Sequence, residues 1–161
     1  MSLRTAAGGD FEAILELAVD FYAEDGFTTP RPALARHLRH LLGSDAAHVA
    51  VAEAGGAIAE AGGAEAGGAI AGFAISTSSY GLENGLIAEL EDLYVAPAAR
   101  RRGLAGRLIE DSVRWATGIG AAHLEIVVAP NGLDVSHLLR YYRARGFADD
   151  GRRLLARPLT T

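Results

Sequence analysis

The sequence predicts a mixed α/β domain in which helices pack on a largely antiparallel sheet. Three observations lead there. Apolar residues recur at helical spacing in four segments, and short strand-like runs separate those segments. One run leads through a glycine loop straight into an amphipathic helix. The resulting order is β-α-α-β-β-β-α-β-α-β. With 161 residues, the chain has the length of one domain over residues 1–161, enough to bury a core without disulfides or metals.

Residues 3–6 read as a short first strand. Asp10 is placed to cap a helix whose apolar positions Phe11, Ile14, Leu15, Ala18, Val19 and Tyr22 follow a 3.6-residue period. Pro30 and Pro32 open a second helix carrying Leu34, Leu38, Leu41 and Leu42, ended near Gly43. His37 and His40 lie on it, but no third ligand accompanies them, so they are expected to face solvent and no metal is expected. Residues 48–53 and 69–76 read as strands. Between them, residues 54–68 repeat the pattern Glu-Ala-Gly-Gly-Ala, too short and glycine-rich for a solenoid. A hairpin turn lengthened by duplication is the better reading, because loop-closure cost grows only logarithmically with length. That turn is expected to be mobile and not catalytic.

Residues 86–95 form an acidic strand, and residues 103–117 a helix carrying Leu104, Leu108, Ile109, Ser112, Val113 and Trp115. Gly118 and Gly120 end that helix. Residues 123–128 have the pattern of a buried strand. Residues 134–145 read as a helix closed by Gly146 and Phe147, and residues 153–159 as a last strand.

Composition narrows the chemistry. There is no cysteine, which excludes disulfides, thiolate catalysis and zinc–cysteine sites, and leads us to expect a reducing cytoplasm. All fifteen basic residues are arginines, so no Walker lysine and no Schiff base is available. A net charge of −5 argues against nucleic acid as partner and fits cationic small molecules better. No apolar run approaches the ~20 residues that span a bilayer. The polar start Met1-Ser2-Leu3-Arg4-Thr5 does not read as a signal peptide.

The most informative stretch runs from Glu89 to Gly106. Its strand ends in Leu93-Tyr94-Val95-Ala96-Pro97, and the loop Arg100-Arg101-Arg102-Gly103 opens into the helix at Leu104-Ala105-Gly106. Amides at a helix start converge on one point, and the helix dipole adds positive potential there. With three arginines alongside, the loop reads as a pyrophosphate receptor.

This order and these motifs resemble the GNAT superfamily of acetyl-CoA-dependent N-acetyltransferases. The family's acyl-carrier motif, Arg/Gln-x-x-Gly-x-Gly/Ala, appears as Arg100-Arg101-Arg102-Gly103-Leu104-Ala105. A second signature, an apolar residue, Tyr, three residues and Gly-Phe, appears as Tyr141-Tyr142-Arg143-Ala144-Arg145-Gly146-Phe147. The resemblance implies a GNAT fold, with about six to seven strands flanked by about four helices, and acetyl-CoA as cofactor. It implies that Leu93, Tyr94 and Val95 meet the pantetheine arm through their backbone. Arg100, Arg101, Arg102, Gly103, Leu104, Ala105 and Gly106 would receive the diphosphate. Many members carry an Asn in the helix before the tyrosine. Here Asp134-Val135-Ser136-His137-Leu138 stands there, and the contact falls to Asn131 or Ser136. Dimerisation is common in the family, and no sequence feature here establishes a homodimer.

Acetyl transfer requires a neutral amine, a donor for the oxyanion and a proton for the departing thiolate. Glu89, Glu91 and Asp92 are the candidate bases. Strand alternation sets Glu89 and Glu91 on one face and Asp92 on the other, unless a bulge breaks the parity. By resemblance, Glu91 and Asp92 match an acidic pair of polyamine acetyltransferases. Asp92 also matches an Asp of aminoglycoside 3-N-acetyltransferases, and Glu89 the general base of histone-type members. Tyr142 is the candidate general acid and Tyr141 a core aromatic. His137, five residues earlier, more often caps or packs.

Glu83, Glu91, Asp92, Asp149 and Asp150 would line an acceptor site that concentrates polycations. The run Phe21-Tyr22-Ala23-Glu24-Asp25-Gly26 and the Leu-Glu-Asp-Leu-Tyr-Val strand look like a GNAT subgroup that includes small-amine and aminoglycoside acetyltransferases. An aminoglycoside is therefore the expected acceptor. Polyamines, diamino acids and protein N-termini are alternatives, and a non-catalytic acyl-CoA sensor is the alternative from another class.

Overall fold

The computed structural model describes residues 2–54, 68–129 and 134–159. Asn131 and nearly all of the glycine-rich segment 54–68 lie outside them. The chain divides into two compact units, one ending at Val127 and the other beginning at Val128.

The first unit is built on five strands in the order β1-β2-β3-β4-β5: β1 (Ser2–Thr5), β2 (Ala47–Glu53), β3 (Ile70–Gly81), β4 (Gly85–Val95) and β5 (Leu124–Glu125). The first four are antiparallel neighbours, and β5 joins β4 in parallel through Ala88 and Glu89. Helices α1 (Phe11–Glu24) and α2 (Arg31–Leu42) cover one face. Helix α3 (Leu104–Gly118) packs on the other, against β2, β3 and β4.

Alternation assigns the faces. Val49, Val51, Phe73 and Ile75 join Ile14, Leu15, Leu34 and Leu38 in the core under α1 and α2. Residues of opposite parity, such as Ala50, Ala52, Ala74 and Ser76, are buried on the α3 side. His48 confirms that side: its Nε2 lies 2.7 Å from the Asp111 carboxylate of α3, and its ring stacks on Trp115. Gly72 is required where β3 meets β4, because a Cβ there would sit 2.7 Å from the Tyr94 carbonyl oxygen.

Four expectations need correction. Asp10 does not cap α1 with its side chain; it lies in a 3-10 turn, accepts the Ala7 amide and pairs with Arg4. Among the described residues the sheet has five strands, not six or seven. The run 123–128 contributes only Leu124–Glu125, which pair with Ala88 and Glu89 just before the bulge. Residues 153–159 form no strand; Leu154 and Leu155 are adjacent rather than alternating, and Pro158 has no amide to donate.

The second unit contains α4 (Ser136–Arg143). Its end follows from Gly146 at φ 90°, a left-handed residue that glycine adopts without strain. Phe147 N–H donates to the Tyr142 carbonyl and Gly146 N–H to that of Arg143, which together form a Schellman cap. The Tyr142 and Phe147 rings meet edge-on at 5.6 Å, the apolar contact that accompanies such caps. The Gly-Phe of the sequence signature is therefore a helix stop that also holds the tyrosine. Among the described residues, no helix is long and apolar enough to cross a membrane.

Candidate active site

The three acids of β4 lie at a bulge. Ile75 pairs with Asp92 and Ser76 with Leu90, so Glu91 is an extra residue with no partner on β3. Two independent observations show the change of phase. Leu90 lies opposite Ser76 on the α3 side, whereas Tyr94, four residues on, lies in the core under α1 and α2. Likewise Ala88 N–H donates towards β5, to the His123 carbonyl, whereas Ala96 N–H donates towards β3, to Ala71. The bulge brings Glu89 and Asp92 to the same α1-side face, where simple alternation separates them.

Each carboxylate meets a different environment. Asp92 is partly buried and accepts a hydrogen bond from the Tyr22 hydroxyl of α1 at 3.3 Å. Burial raises its pKa from 3.8 to about 6; Glu91 adds to the rise, and the Tyr22 bond opposes it. Glu89 is also raised, first by burial and then by Glu91 and Glu125. Glu91 is exposed and accepts from the Thr77 hydroxyl at 2.5 Å. The Tyr22 phenol is pushed up to about 12 by burial and by the nearby Asp92 and Glu91 charges, so it remains a proton donor throughout the working range.

Beyond the bulge, no strand among the described residues pairs with the outer edge of β4. Since Ala96 N–H points to β3, alternation turns the Val95 and Leu93 amides the other way. Arg100 Nε donates to the Val95 carbonyl on that outward edge at 2.9 Å. Tyr94 contributes backbone to the strand, but its ring is buried beside Phe21 and Phe73.

The loop after β4 has the geometry of an anion nest. Arg101 has φ 62° and Gly103 φ 77°, two left-handed residues that turn successive amides to one side ahead of α3. Among the described residues, no side chain caps the amides of the first α3 turn, at Leu104, Ala105 and Gly106. A Cβ at Gly103 would meet nothing within 4 Å, so the space above the nest is open. Arg101 and Arg102 are exposed beside it. These features fit a diphosphate. Arg100 is engaged elsewhere: its guanidinium pairs with Glu24 of α1 at 2.6 Å and lies over the Tyr94 ring. It ties the loop to the helix that carries Tyr22.

Of the remaining candidates, Glu83 lies in the exposed β3–β4 turn, at the other end of β4 from the nest. In the second unit, Tyr142 is partly buried on α4, and Ser136 and His137 are exposed in its first turn. Tyr141 lies under the Arg145 guanidinium, 3.5 Å from its ring centre. Asp149 and Asp150 accept the Gly151 and Arg152 amides in successive tight turns. Among the described residues, no three His, Asp or Glu side chains group as a metal site.

Sequence reasoning missed Tyr22, although a signal was available. Tyr22-Ala23-Glu24-Asp25-Gly26-Phe27 has the same Tyr-x-x-x-Gly-Phe spacing as residues 142–147, and it folds the same way. Gly26 has φ 74°, Phe27 N–H donates to the Tyr22 carbonyl, Gly26 N–H to that of Ala23, and the two rings lie 5.0 Å apart.

An acidic strand with a bulge and an outer edge that no described strand pairs, followed by an amide nest at a helix start, defines an acyltransferase that carries its acyl group on a diphosphate-bearing thiol. The chain matches the acetyltransferase (GNAT) family over residues 11–147 and belongs to it. It is an acetyl-CoA-dependent N-acetyltransferase. Among solved structures, an integron cassette protein from the mobile metagenome of Cole Harbour Salt Marsh is similar with TM-score 0.76 and 27% identity, covering 99% of this chain and 91% of that one. The aminoglycoside N-acetyltransferase AAC(6')-Iy, in complex with the bisubstrate analogue CoA-S-monomethyl-acetylneamine, is similar with TM-score 0.78 and 21% identity, over 99% of this chain and 98% of that one. The aminoglycoside 6'-N-acetyltransferase AAC(6')-IG from Acinetobacter haemolyticus has TM-score 0.73 and 19% identity, over 100% of both chains. The last two likenesses establish a shared fold. No curated protein matches the sequence.

Proposed function

We propose that the chain acetylates a primary amine of a small polycation by direct transfer in a ternary complex, with an aminoglycoside as the favoured acceptor. The observation that carries this reading is the carboxylate trio at the β4 bulge, with Asp92 poised at about 6. Polyamines and diamino acids would also be attracted by such a trio. Solved AAC(6') enzymes of the same fold, one bound to an acetylneamine-bearing analogue, favour the aminoglycoside.

In this reading Asp92 takes the proton from the incoming ammonium, directly or through one water. A base with a pKa near the working pH combines availability with driving force. Glu89 and Glu91 hold the other ammonium groups of the acceptor. The outward amides of Leu93 and Val95 bind the arm of acetyl-CoA and stabilise the charge that builds on its carbonyl oxygen. Amides of residues 101–106 hold the diphosphate, and bound acetyl-CoA supplies the activated thioester. Tyr142 gives a proton to the departing sulfur, and Ser136 assists with the arm.

Coenzyme A release, followed with a thiol reagent, tests the reading on a panel of aminoglycosides, polyamines, diamino acids and short peptides. The protein has no cysteine and adds no background. Turnover on aminoglycosides is expected. Turnover confined to another amine class would refute the favoured acceptor, and activity on peptides alone would point to protein N-termini.

A further inference from the structure

The acidic trio on β4 is only half of the acceptor side; the other half comes from the end of α1. We propose that Tyr22 is a positioning residue for acetyl transfer, its phenol holding the Asp92 carboxylate in the orientation from which it takes the amine's proton. The inference rests on the assignment of Asp92 as base.

The geometry is specific. Tyr22 occupies the helix position from which a Schellman cap draws its carbonyl bond, and Phe27 folds back across Gly26 onto its ring. Phe21 closes another side edge-on at 5.3 Å. With the ring held by both neighbours, the hydroxyl meets Asp92 across the gap between α1 and the sheet. Asp92 reaches that hydroxyl because Glu91 is the extra residue of the bulge; in regular register it would point towards α3. No other side chain among the described residues donates to Asp92. The remaining charged groups at this face are Glu91 and Glu89 of β4, with Thr77 of β3 bound to Glu91 and Glu125 of β5 acting on Glu89.

The bond has a definite electrostatic consequence. A donor to the ionised carboxylate favours the charged form, so Tyr22 works against burial and keeps Asp92 deprotonated at lower pH. Removing the hydroxyl while keeping the ring should therefore raise the Asp92 pKa and leave packing intact.

The experiment compares wild type, Tyr22→Phe and Asp92→Asn in two measurements. The first is the kcat/KM–pH profile on the acceptor identified above; the second is carbon NMR titration of the Asp92 carboxyl in the enzyme alone. For Tyr22→Phe, both the acid limb and the NMR midpoint should move up by about half to one pH unit, the size of one long hydrogen bond. The loss should then be several-fold near pH 6 and under about twofold on the alkaline plateau. An unmoved NMR midpoint, or a rate lowered equally at every pH, would overturn the role of Tyr22. If Asp92→Asn keeps the acid limb while the Tyr22→Phe midpoint still moves, the contact is real but Asp92 is not the base, and both the base assignment and this proposal fall on that point alone.

Discussion

Asp92 should make the enzyme less stable than it would be without that charge, and the sign can be tested. Burial raises its pKa from 3.8 to about 6, so between those values the folded chain holds a proton that the unfolded chain has released. The unfolding free energy therefore falls as pH rises through this window. The penalty is absent below about pH 4 and complete above about pH 6. The shift corresponds to about 3 kcal/mol at full ionisation. Asp92 is only partly buried, so the gain expected from Asp92→Asn is on the order of 1–3 kcal/mol. Asparagine keeps the shape and still accepts from Tyr22. Urea unfolding of both proteins at pH 8 and pH 4 measures the difference. The variant should be more stable at pH 8 and equal at pH 4, while turnover falls by about 10²-fold or more, as for loss of an acid–base group. A variant less stable at pH 8, or stabilised equally at both pH values, would refute the claim that the fold pays for a desolvated charge here.

Tyr142→Phe should lower turnover by roughly 10²-fold while acetyl-CoA still binds, checked by thiol release and calorimetry; unchanged turnover removes Tyr142 from the mechanism. Gly103→Val should weaken coenzyme binding by about tenfold or more, since a β-branched residue at φ 77° is strained by about 1–2 kcal/mol and would intrude on the nest. Arg100→Ala should weaken it less, because that guanidinium is bound to Glu24 and Val95; calorimetry giving the reverse order would refute the backbone nest. Gly72→Ala should destabilise by about 1–3 kcal/mol in urea, because its Cβ would lie 2.7 Å from a backbone oxygen that cannot give way. An unchanged midpoint there would contradict the close approach of β3 and β4.

How much was legible depended on whether a signal was local. Helices α1, α2 and α3 follow from 3.6-residue apolar spacing, and the loop-to-helix turn at Gly103 from a glycine preceding an amphipathic run. The Glu91 bulge leaves no such trace. It contains neither glycine nor proline, and parity along β4 gives the wrong partner for Asp92 until the register with β3 is known. The fate of residues 123–128 and 153–159 was hidden for a related reason. A strand needs an edge to pair with, and its own composition does not report whether one exists. Arg100 belongs to the acyl-carrier pattern, but its pairing with Glu24, seventy-six positions away, is set by tertiary structure alone. Tyr22 was accessible in principle, through the repeated Tyr-x-x-x-Gly-Phe spacing, but in one dimension nothing joins it to Asp92.

One inserted residue accounts for both halves of the chemistry on β4. If Glu91 were paired with Ile75 in regular register, Asp92 would follow Ala88 and Leu90 to the α3 side, away from Tyr22. The Leu93 and Val95 amides would then be consumed in pairing with β3. With Glu91 as the extra residue, the carboxylate turns to the Tyr22 face and those two amides turn outwards. The proposed base and the amides proposed to hold the acyl arm are thus set by a single change of phase. Glu91→Gln removes the charge at 91 and leaves that phase intact, so it should cost far less turnover than Asp92→Asn, with acetyl-CoA binding and urea stability measured alongside rate. A Glu91→Gln enzyme as inactive as Asp92→Asn would mean that the charge at 91, not the phase of the strand, is what the reaction requires.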